Sequence, residues 1–294
     1  MSPSPTPPST LRNPHAPFPA ALQSSFDANI ERALAEDVGS GDLTGLLIPA
    51  DQTEAARVIV REPAVLCGAP WFEAVMHRVD GRILLDWAYA EGDLMEAGSV
   101  VCRLHGPARA LLTAERTALN FLQLLSGIAT ATRRYVDLTA GTRAAILDTR
   151  KTLPGLRLAE KYAVRVGGGQ NQRLALYDGV LIKENHIMAA GGIAAALQAA
   201  RAVAGNAPIQ IEVESLDELQ QALEAGAESV LLDNFNLDDL AQAVALNAGR
   251  ALLEASGGIR LDTVRAIAQT GVDRISIGSL TKDIQAIDYS LRII

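Results

Sequence analysis

The chain has 294 residues, of which 49% are hydrophobic, 20% charged and 4% aromatic, proportions that fit a globular α/β protein and exclude a disordered or fibrous one. Its net charge of −8, from 26 Lys/Arg and 34 Asp/Glu, excludes a global basic footprint for nucleic acid. No run is apolar and long enough for a membrane span, and Cys67 and Cys102 lack metal-type spacing, so both are expected as buried free thiols in a reducing cytosol.

The first 19 residues are dense in proline, which forbids helix and removes backbone donors. They lack the apolar core of a signal peptide and are expected to be a disordered leader. Ordered structure is expected from residue 20, with Asp27 capping a helix that carries Ile30, Leu34 and Val38 at helical spacing. GSGDLT then reads as a turn. Between Glu54 and His105 the short runs AARVIVRE, AVLCG, RILLDWAYA and VVCRLHG predict strands, interrupted by a helix over PWFEAVMHRV. Residues 20–126 thus read as a small antiparallel sheet with helices on one face, an α+β module.

Two helices are expected next, one capped by Thr113 and running to about Leu125, the other continuing beyond a break at Ser126-Gly127 to about Leu138. Arg116, Asn120 and Gln123 share one face of the first, a stripe suited either to solvent or to a cleft or subunit interface. Residues 127–294 change pattern. Six apolar runs, AAILD, GVLIK, IQIEV, SVLLD, ALLEAS and RISIG, alternate with Ala-rich helices, the signature of parallel βα units. The fold class is therefore α/β, with a C-terminal α/β barrel of fewer than eight parallel strands. An open doubly wound sheet is the structural rival. Gly226 and Gly271 fit helix C′ positions.

In either architecture ligands bind at the carboxyl ends of the strands. Those ends carry Asp148-Thr149-Arg150-Lys151, Lys183, Glu214, Asp233, Ser256-Gly257-Gly258 and Ser276-Ile277-Gly278. From Asp148 to His186, seven Lys/Arg stand against four acids in an otherwise acidic chain. Arg157, Lys161 and Arg165 have the spacing of a solvated helix face. Arg150, Lys151 and Lys183 end strands, which suits a highly anionic ligand. The glycines of Gly167–Gly169, Ser256–Gly258 and Ser276–Gly278 let backbone N–H groups approach phosphate, the last two ahead of expected helix N-termini. Glu214 and Asp233 beside these cations can hold ribose hydroxyls, place Mg²⁺ or stabilise a developing cation.

The strings ALAEDVGSGDLT, ERTALNFLQLLSGIAT, DTRKTLPGLR, KYAVRVGGG, LIKENHI, IEVESLDEL, LLDNF, EASGGI and TGVDRISIGSLTK, in that order from about Ile30 to the C-terminus, resemble the quinolinate phosphoribosyltransferases. The resemblance implies transfer of phosphoribosyl from phosphoribosyl pyrophosphate to quinolinate, with release of pyrophosphate and CO₂, in de novo NAD synthesis. It implies an N-terminal α/β sandwich domain ahead of the C-terminal barrel, Mg²⁺, no organic cofactor, a homodimer, and Arg116 acting in the partner's site. It assigns Thr149, Arg150, Lys151, Gln172, Arg173 and Lys183 to the anion pocket, with Lys151, Glu214 and Asp233 catalytic. Ser256–Gly258 and Ser276–Gly278 would cradle the 5-phosphate. The family usually has His where this chain has Gln172, which leaves two rivals: a relative acting on another pyridine carboxylate, or a sugar-phosphate binder without turnover.

Overall fold

The structure, a computed structural model, describes residues 10–294. In chain order the elements are α1 (Ala20–Asp37), β1 (Thr53–Val60), β2 (Ala64–Val65), α2 (Ala69–Val79), β3 (Leu84–Trp87), β4 (Leu94–Met95), β5 (Val100–Pro107) and α3 (Ala108–Leu138). β6 (Ala145–Leu147), α4 (Arg157–Val166), β7 (Val180–Ile182), α5 (Glu184–Ala190), α6 (Ile193–Ala204), β8 (Ile209–Val213), α7 (Leu216–Glu224) and β9 (Ser229–Asp233) follow. The chain ends with α8 (Leu237–Asn247), β10 (Leu252–Ser256), α9 (Val264–Gln269), β11 (Arg274–Ser276), α10 (Ser279–Lys282) and β12 (Tyr289–Ile293). Among the described residues, no single helix is long and apolar enough to cross a membrane.

Two compact units divide these elements. One holds the residues up to Ala131, with Leu153–Gly167 and Asp283–Ile294; the other holds Thr132–Thr152 and Gly168–Lys282. The expected boundary at 126/127 therefore falls inside α3, and α4 and the C-terminal strand return to the first unit.

The first unit is built on a four-stranded antiparallel sheet, ordered β12-β1-β5-β3. Period-two alternation puts Val58, Cys102 and Trp87 in one cross-strand row and Ala56, Leu104 and Leu85 in the next. Trp71, Phe72, Leu111 and Leu122, from α2 and α3, belong to the same apolar core. β12 pairs Leu291 with Val58 and Tyr289 with Val60, so the C-terminus supplies the edge strand.

Three expectations for this unit change. Residues 10–19 of the leader are ordered, while residues 1–9 lie outside the described residues. Thr10 Oγ1 accepts from Trp87 N–H, and Phe18 packs edge-on against Tyr162 and Phe26 and tilted against Trp71, with ring centroids 5.2–5.5 Å apart. The helix begins at Ala20, and Asp27 lies within it, accepting from the Gln23 amide. Finally, α3 is one helix of 31 residues. Its Thr113 is interior and donates to Asp42 and to Arg109 O. Ser126 does not break it: the hydroxyl accepts from Cys67 N–H and donates to Cys67 O. A Cβ on Gly127 would overlap Gln285 O, so this glycine is explained by close backbone approach.

The second unit carries all six expected parallel strands, ordered β6-β11-β10-β9-β8-β7. The last strand in sequence lies beside the first, the cyclic order of a barrel, with a seam between β6 and β7. Gln170 bridges to Leu147 on the β6 side of that seam. Ile211, Val213, Val230, Leu232, Leu253, Ala255 and Ile275 are buried apolar positions of the strands. The alternate positions are largely polar: Gln210, Glu212, Asp233, Glu254, Ser256, Arg274 and Ser276. Ser215 and Asn236 cap α7 and α8, and Gly226 and Gly271 follow α7 and α9 with φ of 74° and 96°.

Candidate active site

Strand ends in the second unit bring several of the expected residues together. Asp148, fully buried at the end of β6, accepts from Asn171 Nδ2 at 2.6 Å and from Gln172 N at 2.9 Å. It thus ties the segment after the glycine run to β6. Thr149 Oγ1 accepts from Lys151 N, and Thr281 Oγ1 donates to Lys151 O at 2.8 Å. Gly278 is confined by the same lysine: a Cβ there would lie 3.2 Å from Lys151 Cδ and 3.6 Å from Thr149 Oγ1.

Lys183 ends β7 and caps α5. Its N–H donates to His186 Nδ1 at 3.0 Å, so the histidine of LIKENHI fixes the lysine's backbone. Its ammonium reaches Glu212 Oε2 at 2.6 Å and Oε1 at 2.9 Å. Asp233, at the end of β9, is raised above the ordinary carboxylate range, first by burial and then by the charge of Glu212. Lys183 and Lys151 pull it back down. Asp233 therefore lies within electrostatic reach of Glu212, Lys183 and Lys151.

Glu214 is not the carboxylate of this group. It is exposed, one residue beyond β8, and its backbone N–H donates to Glu218. Glu212 lies inside the apolar run IQIEV, whereas the residue just past that run is Glu214. The alternation of β8 was the available signal, since Glu212 and Gln210 share a face that Glu214 reaches only after the strand has ended.

Arg150 and Arg173 form a like-charged pair. The guanidinium of Arg173 is depressed from its usual range, first by burial and then by Arg150, against the opposing pull of Asp178. Arg173 Nη1 donates to Gly179 O at 3.0 Å. Gln172 and Arg173 also line a cavity of about 550 Å³ that reaches the starts of β7 to β11.

The glycine loops keep the backbone bare. Gly257 and Gly258 have φ of 102° and 58°, and a Cβ on Gly257 would overlap the Asn234 side chain and lie 2.9 Å from Asn234 N. Asn234, itself at φ 58°, donates its amide to Asp233 and its N–H to Ser256 O. The helix N-termini expected behind these loops are weak: α9 starts only at Val264, and α10 has four residues. Ile277 is buried and donates to Leu147 O; Ser276 Oγ is buried without a hydrogen-bond partner.

One further expectation needs correction. Lys161 is 1% exposed, so α4 does not present a solvated basic face through Arg157, Lys161 and Arg165. Arg116 lies on an exposed face of α3 in the first unit, with Asn120 beside Gln123 on the same face.

Comparisons with known proteins agree across the chain. Residues 42–126 match the family described as "Quinolinate phosphoribosyl transferase, N-terminal domain", and residues 128–292 match its C-terminal counterpart. A protein of Mycobacterium leprae named nicotinate-nucleotide pyrophosphorylase (carboxylating) is 43% identical over 278 residues, covering 90% of this chain and 97% of its own. A probable enzyme of that name from Bacillus subtilis is 42% identical over 257 residues, covering 87% and 89%. The solved nicotinate-nucleotide pyrophosphorylase of Francisella tularensis superposes with a TM-score of 0.91 at 45% identity, covering 95% and 98%.

Proposed function

The chain belongs to the quinolinate phosphoribosyltransferase family and is an enzyme of that type, and we propose that the strand-end cluster around Asp233 is where it works. It transfers phosphoribosyl from phosphoribosyl pyrophosphate to quinolinate with decarboxylation, a step of NAD biosynthesis. The observation that carries the assignment of the site is the Lys183–Glu212 ion pair of 2.6 Å at neighbouring strand ends, with Asp233 ending the next strand.

Both substrates are polyanions, and the site offers matching cations. Arg173 feels the charge of Arg150 against the pull of Asp178, and a planar guanidinium pairs with a carboxylate in two parallel hydrogen bonds. The two arginines take the carboxylates of quinolinate. Lys151 and Lys183 supply point charges for the reacting groups. Asp233 and Glu212 face the ribose, and Ser256–Gly258 and Gly278 receive the 5-phosphate.

The chemistry proceeds in two stages. The bond from ribose C1 to the pyrophosphate oxygen breaks, the oxygen keeping the electron pair, through an oxocarbenium-like state. The pyridine nitrogen donates its pair to C1. The N-ribosylated ring, now cationic, accepts the electron pair of the bond to its 2-carboxylate; CO₂ departs and a proton replaces it. Asp233 and Glu212 stabilise the positive charge on the sugar, and Lys151 the charge on the leaving group. One such preorganised contact contributes about 3 kcal/mol to lowering the barrier.

Among the described residues no group of three or more His, Cys, Asp or Glu is poised to hold a metal. A pair of carboxylates does suit Mg²⁺ carried mainly by substrate phosphates. In our reading Asp233 and Glu212 would hold it, and it would neutralise the pyrophosphate. A homodimer with Arg116 reaching the partner's site belongs to the same reading, supported by the exposure of Arg116. So does a cytoplasmic location, supported by two free, buried cysteines.

The test is competition. The purified protein receives phosphoribosyl pyrophosphate with equal quinolinate and nicotinate, with and without a chelator of Mg²⁺. Preferential loss of quinolinate, abolished by the chelator, is expected; preferential loss of nicotinate would overturn the assignment.

A further inference from the structure

Gln172 occupies the position where the family usually carries histidine, but its amide faces the interior of the sheet. Gln172 Nε2 donates to Gln210 Oε1 at 2.7 Å and approaches both oxygens of Glu254 at 3.3 and 3.4 Å. Gln210 Nε2 in turn donates to Glu254 Oε2 at 2.9 Å. At the other end of the amide, Gln172 Oε1 accepts from Arg173 N–H at 2.7 Å.

Glu254 is 0% exposed; its hydrogen bonds come from the amides of Gln172 and Gln210, and Arg274 on β11 is its cross-strand neighbour. It sits in the middle of β10, two residues before Ser256, just as Gln210 sits two residues before Glu212 on β8. The relay therefore runs about 6–7 Å below the rim that carries Glu212 and Asp233. A buried carboxylate is stable only where donors compensate the lost water. Gln172 and Gln210 are such donors, and the carboxylate fixes their orientation in return.

We propose that Gln172 is a positioning residue: it transmits the fixed location of Glu254, directly and through Gln210, to the backbone of Arg173, and so sets Arg173 against Arg150. The inference rests on the reading that these arginines bind the carboxylates of quinolinate. The bond from Gln172 N to Asp148 anchors the same segment to β6, so the peptide at 172–173 is held from two sides. A neutral amide suffices at residue 172 because its role is to orient a neighbour. The missing histidine charge then costs this chain no substrate contact.

The test is a double-mutant cycle with Gln172→Met and Glu254→Gln, scored on KM for quinolinate, KM for phosphoribosyl pyrophosphate, kcat and melting temperature. Each single variant is expected to raise the quinolinate KM about tenfold, with kcat and the other KM within about threefold. The double variant should match the worse single, because both cut one relay. A double effect near the product of the singles would make Gln172 an independent contact and overturn the proposal. So would an unchanged quinolinate KM in the singles, or a loss confined to kcat. If Glu254→Gln does not fold, Gln210→Leu takes its place in the cycle with the same criteria. If Gln172→Met does not fold, Gln172→Leu replaces it; failure of every such variant to fold would mark the relay as scaffold and overturn a role specific to Arg173. A wild-type protein that does not consume quinolinate would reject the functional reading, before any variant is compared.

Discussion

Lys183 and Glu212, at the ends of adjacent parallel strands, form an ion pair of 2.6 Å, and Asp233 titrates under the influence of both. In the proposed site this pair puts the carboxylate of β8 inside the strand, two residues before the exposed Glu214. Glu212→Gln should lower kcat/KM by about 100-fold, the effect of losing one preorganised charge contact. Glu214→Gln should change it less than threefold. Equal effects would show that the pair does not define the site.

The same geometry sets a pH dependence. Asp233 is raised above the ordinary carboxylate range by burial and by Glu212, so it takes up a proton at higher pH than a free aspartate. If its anion is required, activity falls as pH drops through that raised value. Removing the Glu212 charge lowers the pKa of Asp233, so the acidic limb of kcat/KM in Glu212→Gln should move to lower pH. The profiles of the two proteins measure this directly, and coincident limbs would count against it.

Gly257→Ala should disable the glycine loop. The added Cβ meets Asn234, which holds Asp233, and alanine is strained at a φ of 102°. We expect the KM for phosphoribosyl pyrophosphate to rise at least about tenfold, a differential near 1.4 kcal/mol. Isothermal titration with that substrate measures the same loss as weaker binding.

The parallel strands were legible because their apolar runs are short, regularly spaced and separated by Ala-rich helices with glycine stops such as Gly226 and Gly271. The charged strand ends at Lys151, Lys183 and Asp233 were legible for the same reason. Glu212 was not, because a run such as IQIEV gives no end point finer than a residue or two. The ordered residues 10–19 were hidden because proline content reports what the chain cannot form; their packing through Phe18 and Thr10 depends on distant partners. Ser126-Gly127 misled because a helix-breaking pair and a close-packing pair share one composition, and only Cys67 and Gln285 tell them apart.

The first unit carries a stability switch of its own. Glu91 is fully buried at the start of α2, accepting from Gly68 N, Ala69 N and the Tyr162 hydroxyl. Burial pushes its pKa from 4.5 up to about 7, against those hydrogen bonds. The folded state therefore holds a proton that the unfolded state has released, and stability falls as pH rises from about 4.5 to about 7. Melting temperatures across that range should decline more steeply for the wild type than for Glu91→Gln; parallel curves would contradict the account.

Sharing of Arg116 between subunits is tested by mixing. Arg116→Ala and Lys151→Ala should each be nearly inactive alone. Reassorted together, they should recover about one quarter of wild-type activity, because half the dimers then contain one intact site. No recovery, with subunit exchange verified, would place Arg116 in its own subunit's site or in none.

The most direct measurement of the central claim is product stoichiometry with purified protein, phosphoribosyl pyrophosphate and quinolinate labelled in its 2-carboxylate. The account predicts one pyrophosphate and one labelled CO₂ per quinolinate consumed, and neither product in Lys151→Ala at a rate within about 100-fold of wild type. Pyrophosphate release without CO₂, or turnover that survives the loss of Lys151, would contradict it.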